Sequence, residues 1–93
     1  ISLKYLKLNI KPLKPFKKLE VLFISRTKVR NVQPLIHLKN LKRLALGETK
    51  VKNIEPLRHL KKLKFLSLFL LKLNEKDVEK LQKALPNCEI FYR

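Results

Sequence analysis

A period of 22 residues runs through this sequence and restricts the folds open to it. Nine positions between Phe16 and Leu35 recur 22 residues later with a residue of the same type. The two sets are Phe16, Leu19, Leu22, Ile24, Thr27, Val29, Val32, Pro34 and Leu35, and Leu38, Leu41, Leu44, Leu46, Thr49, Val51, Ile54, Pro56 and Leu57. The pattern continues as Leu60, Leu63, Leu66, Leu68, Leu71 and Leu73, then as Leu85, Cys88 and Ile90, and it starts upstream as Ile1, Leu3, Leu6, Leu8, Ile10, Pro12 and Leu13. A repeat of this length predicts stacked units, each too small to bury its apolar face alone.

The spacing of apolar residues changes once within each repeat. Leu22 and Ile24 are two positions apart, which is the period of a strand with one buried face. From Val32 to Leu41 the spacing becomes three, which suits a turn of α-helix or 3₁₀ helix opened by Pro34. Each repeat therefore predicts one coil of a solenoid, with a strand on one side and a helical turn on the other.

We predict one domain that comprises all 93 residues. Its coils are expected at about 1–15, 16–37, 38–59 and 60–73, with a C-terminal cap at 74–93. In the cap, Asn74 is a good N-cap for a helix that Pro86 ends, and 88–92 supply a last strand. Because the pattern is already under way at Ile1, we expect that an N-terminal part of the domain is missing.

The pattern resembles that of leucine-rich repeat proteins, L-x-x-L-x-L-x-x-N/C-x-L, over the whole chain. The turns at 32–35 and 54–57 look like those of short, internalin-like bacterial repeats, and 81–90 is similar to the C-terminal ends of many bacterial members. The resemblance implies a bacterial protein with an α/β fold. The fold would be a right-handed solenoid with a parallel sheet on its concave face and short helical or 3₁₀ turns on its convex face. Thr27 and Thr49 stand where the family usually has asparagine, and we expect their hydroxyls to bond to loop backbone.

Alternation along the strands predicts which side chains face the concave surface. If Leu22 and Ile24 point inward, columns of neighbours point outward. The expected columns are Val21, Arg43, Phe65 and Asn87; Phe23, Ala45, Ser67 and Glu89; and Ser25, Gly47, Phe69 and Phe91. The predicted partner-binding residues are Val21, Phe23, Arg43, Phe65, Phe69 and Phe91, with Phe65, Phe69 and Phe91 in mutual contact. The alternative is that these rings only shield one another. Gly47 admits either a close approach by a partner or a plain small-residue fit.

Charge suggests a second function. The formal net charge is +16, and the residues up to Leu73 hold 19 basic and 3 acidic side chains. Lysines recur in two columns, which are Lys17, Lys39, Lys61 and Lys83, and Lys28, Lys50 and Lys72. The predicted polyanion-binding residues are Lys17, Lys39, Lys61, Lys28, Lys50 and Lys72. An anionic partner such as nucleic acid would relieve their repulsion, although a solvated lysine surface copied with the repeat would have the same pattern.

No enzymatic or cofactor-binding pattern accompanies the repeat. His37 and His59 follow the 22-residue period without further metal ligands, and Cys88 is expected as a small buried filler. No apolar run is long enough to span a membrane. We therefore expect a non-catalytic scaffold, without metal or cofactor, that binds a protein, with acidic proteins among the candidate partners. The alternatives are a polyanion-binding module and a structural segment of a larger protein.

Overall fold

The computed structural model describes Ile10 and residues 13–93. These residues form a parallel sheet of four short strands, in the order β1 (Val21–Phe23), β2 (Arg43–Ala45), β3 (Phe65–Ser67) and β4 (Glu89–Phe91). Two 3₁₀ helices, Gln33–His37 and Glu55–His59, connect the first three strands, and helix α1 (Glu75–Ala84) leads to the fourth. Most of the first predicted coil, 1–15, lies outside the described residues, so its upstream matches are not tested.

The core contains the leucine ladder that the repeat predicts. Within each of the first three strands the middle residue and the residue that follows the strand are completely buried, and the next coil covers them in register. These pairs are Leu22 and Ile24, Leu44 and Leu46, and Leu66 and Leu68. The apolar residues at a spacing of three, from Val32 to Leu41, are buried as well. Each such side chain contributes roughly 1.5–3 kcal/mol by leaving water, but only when a neighbouring coil covers it.

Phe16 contradicts this pattern. It occupies the repeat position of Leu38 and Leu60, which are fully buried, yet its ring is 55% exposed. Its backbone N–H still donates to Leu13 O, as Leu38 N–H donates to Leu35 O.

The turns after the strands keep neighbouring coils in register. Arg26, Glu48 and Leu70, each 22 residues apart, all have a positive φ near 60°. Their backbone N–H groups donate to the next coil, at 3.0 Å from Arg26 to Gly47 O and 2.9 Å from Glu48 to Phe69 O. The parallel ladder therefore continues beyond the strands and through the turn, and it fixes the surface above it.

The hydrogen bonds of Thr27 and Thr49 confirm the prediction that their hydroxyls bond to loop backbone. The hydroxyls of Thr27 and Thr49 donate to Ile24 O and Leu46 O at 2.8 Å. The hydroxyl oxygens of Thr27 and Thr49 also accept the backbone N–H groups of Val29 and Val51, at 3.5 Å and 3.4 Å. Each threonine thus satisfies loop backbone that would otherwise lack a partner.

The cap corrects the predicted register of the last strand. Phe65 pairs with Glu89, and Ser67 pairs with Phe91, so this coil is 24 residues long rather than 22. The columns expected to end in Asn87 and Glu89 end instead in Glu89 and Phe91. The longer connection accounts for the difference, because the ten-residue helix α1 replaces a five-residue 3₁₀ helix.

Side chains attach the cap to the solenoid. Asn74 Oδ1 accepts the N–H of Lys76 at 2.8 Å, which confirms it as the N-cap of α1. Gln82 Nε2 donates to Leu85 O and Cys88 O at 3.1 Å and 2.9 Å, and the hydroxyl of Tyr92 donates to Leu73 O at 2.8 Å. β4 is therefore held from both of its ends.

Candidate partner-binding face

The outward side of the sheet carries four phenylalanines, as the alternation of the strands predicts. Phe23, Phe69 and Phe91 are 38%, 36% and 41% exposed, and Phe65 is half-buried. Their inward neighbours Leu22 and Leu66 belong to the core, so the rings have no core position to occupy. We call Phe23, Phe65, Phe69 and Phe91 the aromatic face.

Small residues form the floor between these rings. Phe23, Ala45, Ser67 and Phe91 make one column across the four strands. The two phenylalanines at its ends are three strand spacings apart, about 14 Å, with small side chains between them. The resulting shallow depression is lined by Ser25, Ala45, Gly47, Glu48, Phe65, Ser67, Phe69 and Phe91.

Gly47 allows Phe69 to lie against the floor. A Cβ built on Gly47 would stand 3.0 Å from Phe69 O and 3.2 Å from Phe69 Cβ, which is closer than such atoms normally approach. The glycine is thus explained by a fit within the chain. Beyond it, the rings of Phe69 and Phe91 stack, with centroids 5.9 Å apart and planes inclined by 27°.

Arginines cover two of the rings. The guanidinium carbon of Arg43 lies 5.8 Å from the centre of Phe65, and that of Arg93 lies 5.7 Å from the centre of Phe91. The expected contact of Phe69 with Phe91 is present, whereas the ring contact found for Phe65 in the described part of the chain is with Arg43. Arg93 was not among the predicted site residues, since its position depends on the register of β4. Val21, the remaining predicted site residue, is half-buried and aligned with Arg43 on β2.

The six predicted anion-binding lysines are all exposed and lie on the two flanks of the sheet. Lys17, Lys39 and Lys61 precede the strands, and Lys28, Lys50 and Lys72 follow them. Each of the three ion pairs found in the described chain uses other cations. These pairs are Arg26 with Glu48, Lys42 with Glu20, and Arg58 with Glu55.

A crevice that the sequence did not indicate lies between the second 3₁₀ helix and α1. It is lined by Asn53, Ile54, Glu55, Arg58, Asp77, Lys80 and Leu81. Its carboxylates and cations are mixed, and Glu55 is already paired with Arg58. The crevice depends on where α1 packs against the preceding coil, which the repeat does not specify.

Groups with other chemistry are dispersed. His37 is half-buried and His59 exposed, and no group of three or more metal-binding side chains occurs among the described residues. Cys88 is buried, and burial, with a smaller effect of the nearby Glu89 carboxylate, raises the pKa of its thiol to about 11. The thiol is therefore neutral near pH 7 and is a poor nucleophile. None of the helices in the described part of the chain is sufficiently long and apolar to cross a membrane.

Solved structures with the same architecture come from two bacteria. Internalin C2 of Listeria monocytogenes superposes with a TM-score of 0.79 at 29% identity, over 89% of this chain and 35% of that one. A leucine-rich repeat protein of Leptospira interrogans gives a TM-score of 0.78 at 31% identity, over 90% of this chain and 22% of its own. The chain is a leucine-rich repeat protein.

Other comparisons are consistent with this assignment but add little. Internalin F of Listeria monocytogenes, at 19% identity and a TM-score of 0.63 over 90% of this chain and 31% of that one, shares the fold. The sequence itself matches no family model and no curated protein. The leucine-rich repeat chain spans about a third or less of each of the three solved structures. In this fold the strands line the concave side of the solenoid, so the aromatic face is concave.

Proposed function

We propose that this leucine-rich repeat chain is a non-catalytic scaffold that binds a protein through the aromatic face. The observation that carries the proposal is the exposure of Phe23, Phe69 and Phe91 on a sheet whose inward residues are completely buried. Interfaces are enriched in aromatic residues, and solenoid proteins bind ligands on their concave surfaces.

Mutual shielding does not account for these rings. Phe69 and Phe91 stack on each other and still expose 36% and 41% of their surface. Phe23 lies at the opposite end of the same column, with Ala45 and Ser67 between, so neither ring covers it. A partner side chain placed on the small floor would contact Phe65, Phe69 and Phe91, which line the depression.

The rigidity of the aromatic face also keeps the conformational entropy lost on binding small. Backbone hydrogen bonds connect the coils through the turns beneath the rings, as at Glu48 N–H to Phe69 O. Phenylalanine has few rotatable bonds, so little conformational entropy is lost when a partner binds. Arg43 and Arg93 stand over two of the rings and place positive charge at the face, which suits a partner with acidic residues around an apolar anchor.

Photo-cross-linking tests the location of the interface. Benzoylphenylalanine is placed at Phe23 in the cells that make the protein, and in a matched variant at Phe16, which is exposed but lies outside the strands. We expect a protein adduct from position 23 and none from position 16. An adduct only from position 16 would contradict the proposal.

Affinity measurement then tests the anchors. With the purified cross-linked partner, Phe69→Ala combined with Phe91→Ala should weaken binding by more than about 1 kcal/mol, or about fivefold, the usual threshold for an anchor. Phe16→Ala is the matched control and should leave the Kd unchanged. An unchanged Kd in the double variant would refute the role of these rings.

A further inference from the structure

The turns that follow the first three strands carry a second surface. Lysines at 28, 50 and 72 form one column, and Arg30 and Lys52 begin a second column beside it. All five side chains are exposed. The N–H of Lys50 donates to Val29 O at 3.0 Å, so neighbouring coils are in direct backbone contact at this flank. We call Lys28, Arg30, Lys50, Lys52 and Lys72 the basic flank.

A depression lies within the basic flank and contains no carboxylate. Its lining residues are Arg30, Thr49, Lys50, Val51, Lys52, Leu70 and Lys72. The hydroxyl of Thr49 is already committed to Leu46 O. The nearby Glu48 carboxylate pairs with Arg26 at 3.2 Å. Four cations therefore surround one depression without a described acidic partner.

The opposite flank differs, although its lysines follow the same period. There Lys61 Nζ lies 3.4 Å from Ala84 O, and Lys62 Nζ donates to Asn40 Oδ1 at 2.9 Å. Lys42 pairs with Glu20 at 3.6 Å. Within that column Lys61 has a partner inside the chain, and so do the adjacent Lys42 and Lys62, which distinguishes that flank from the basic flank.

We propose that the basic flank binds the phosphates of single-stranded nucleic acid. Like charges held in register repel one another, and a chain of phosphates relieves that repulsion while it releases condensed counterions. Lysine acts as a point charge on phosphate and demands no particular geometry. Arg30 is the one planar hydrogen-bonding side chain in a lining that otherwise holds lysines, a committed threonine and apolar residues, so we expect binding to depend little on base sequence. The lysine column spans about 10 Å, two strand spacings, and a flexible single strand can adjust its phosphates to that arrangement.

Salt dependence gives a quantitative test with fluorescein-labelled dT20. Binding to the intact chain is followed by fluorescence anisotropy between 50 and 200 mM salt. Occupation of all five cations gives a slope of log K against log salt of about −3.5. The triple variant Lys28→Gln, Lys50→Gln, Lys72→Gln should reduce the slope by about 2, and it should weaken binding at 0.1 M salt by roughly 100-fold.

The opposite flank supplies a control of equal charge. Lys17→Gln, Lys39→Gln, Lys61→Gln removes the same three charges, and we expect a much smaller loss. Equal losses in the two triple variants would show binding by net charge alone and would overturn the proposal. Absence of dT20 binding at 50 mM salt would overturn it as well, and so would equally effective competition by a 20-residue polyglutamate. Phe69→Ala with Phe91→Ala should leave dT20 binding unchanged, which keeps this test independent of the aromatic face.

Discussion

Replacing Gly47 with alanine tests how closely the coils of the concave face are stacked. The added Cβ would lie 3.0 Å from Phe69 O and 3.2 Å from Phe69 Cβ. Phe69 O cannot move away freely, because it accepts the N–H of Glu48 at 2.9 Å. The contact can be relieved only if the hydrogen bond from Glu48 N–H to Phe69 O lengthens or the turn at Phe69 is displaced.

The magnitude follows from two opposing effects. Overpacking of one methyl group against backbone costs roughly 1–3 kcal/mol. Alanine also restricts the unfolded chain, which returns about 0.4–1 kcal/mol of stability. We expect a net loss of about 1–2 kcal/mol in the free energy of unfolding, and about 4–8 °C in Tm for each kcal/mol lost. Urea denaturation followed by circular dichroism measures the loss.

Ser25→Ala provides the matched control. Ser25 occupies the same repeat position one coil earlier and already carries a Cβ, so its substitution adds no atom. Its effect should stay within about 0.5 kcal/mol. A second variant tests the cause, since Phe69→Ala retains both atoms that the new methyl group meets and should not rescue Gly47→Ala. Unchanged stability of Gly47→Ala, or rescue by Phe69→Ala, would refute the reasoning.

Two further predictions concern the turn and the cap. Arg26→Asn should raise the free energy of unfolding by roughly 0.5–1 kcal/mol, since Arg26 has φ 61° and asparagine adopts that conformation more readily. The ion pair of Arg26 with Glu48 is lost, but the arginine side chain is 80% exposed and such exposed pairs contribute little, so a lower Tm than that of the wild type would contradict the argument. For Cys88, the pKa is about 11 in the folded chain against an ordinary 9.0, so the unfolded chain loses its proton first and stability falls as pH rises from about 9 to about 11. Between pH 8 and pH 10.5, the free energy of unfolding measured with urea should fall less for Cys88→Val than for the wild type. Equal falls in the two proteins would contradict the raised pKa of Cys88.

The sequence predicted the layers of this fold because a single period determines them. Burial of Leu44 and Leu46 and exposure of Phe69 follow from strand alternation once the repeat is aligned. Even the error in the last coil was limited. The register of β4 was displaced by two residues, and two is the period of a strand, so Phe91 was still placed on the outward side. A displacement by one residue would have reversed its side.

The repeat alone does not predict the side-chain contacts between coils. Phe16 matched the buried Leu38 in type, but its exposure depends on what lies on both sides of its coil. The stacking of Arg93 on Phe91 depends on the length of the cap, which only the packing of α1 determines. The lysine columns were indistinguishable in sequence, because the partners of Lys61 and Lys62 belong to other coils.

The two proposed surfaces depend on the same stacking but on different residues, which makes them separable by experiment. Three phenylalanines of the aromatic face lie on the strands and Phe69 lies just after β3, whereas the residues of the basic flank lie further along the turns. Leu44→Ala should weaken both activities together, because it leaves a cavity in the shared core and costs about 2–5 kcal/mol of stability. Substitutions at Phe69 and Phe91 should affect protein binding alone, and substitutions at Lys28, Lys50 and Lys72 should affect dT20 binding alone. A folded variant of either surface that lost both activities would contradict their placement on separate parts of the solenoid.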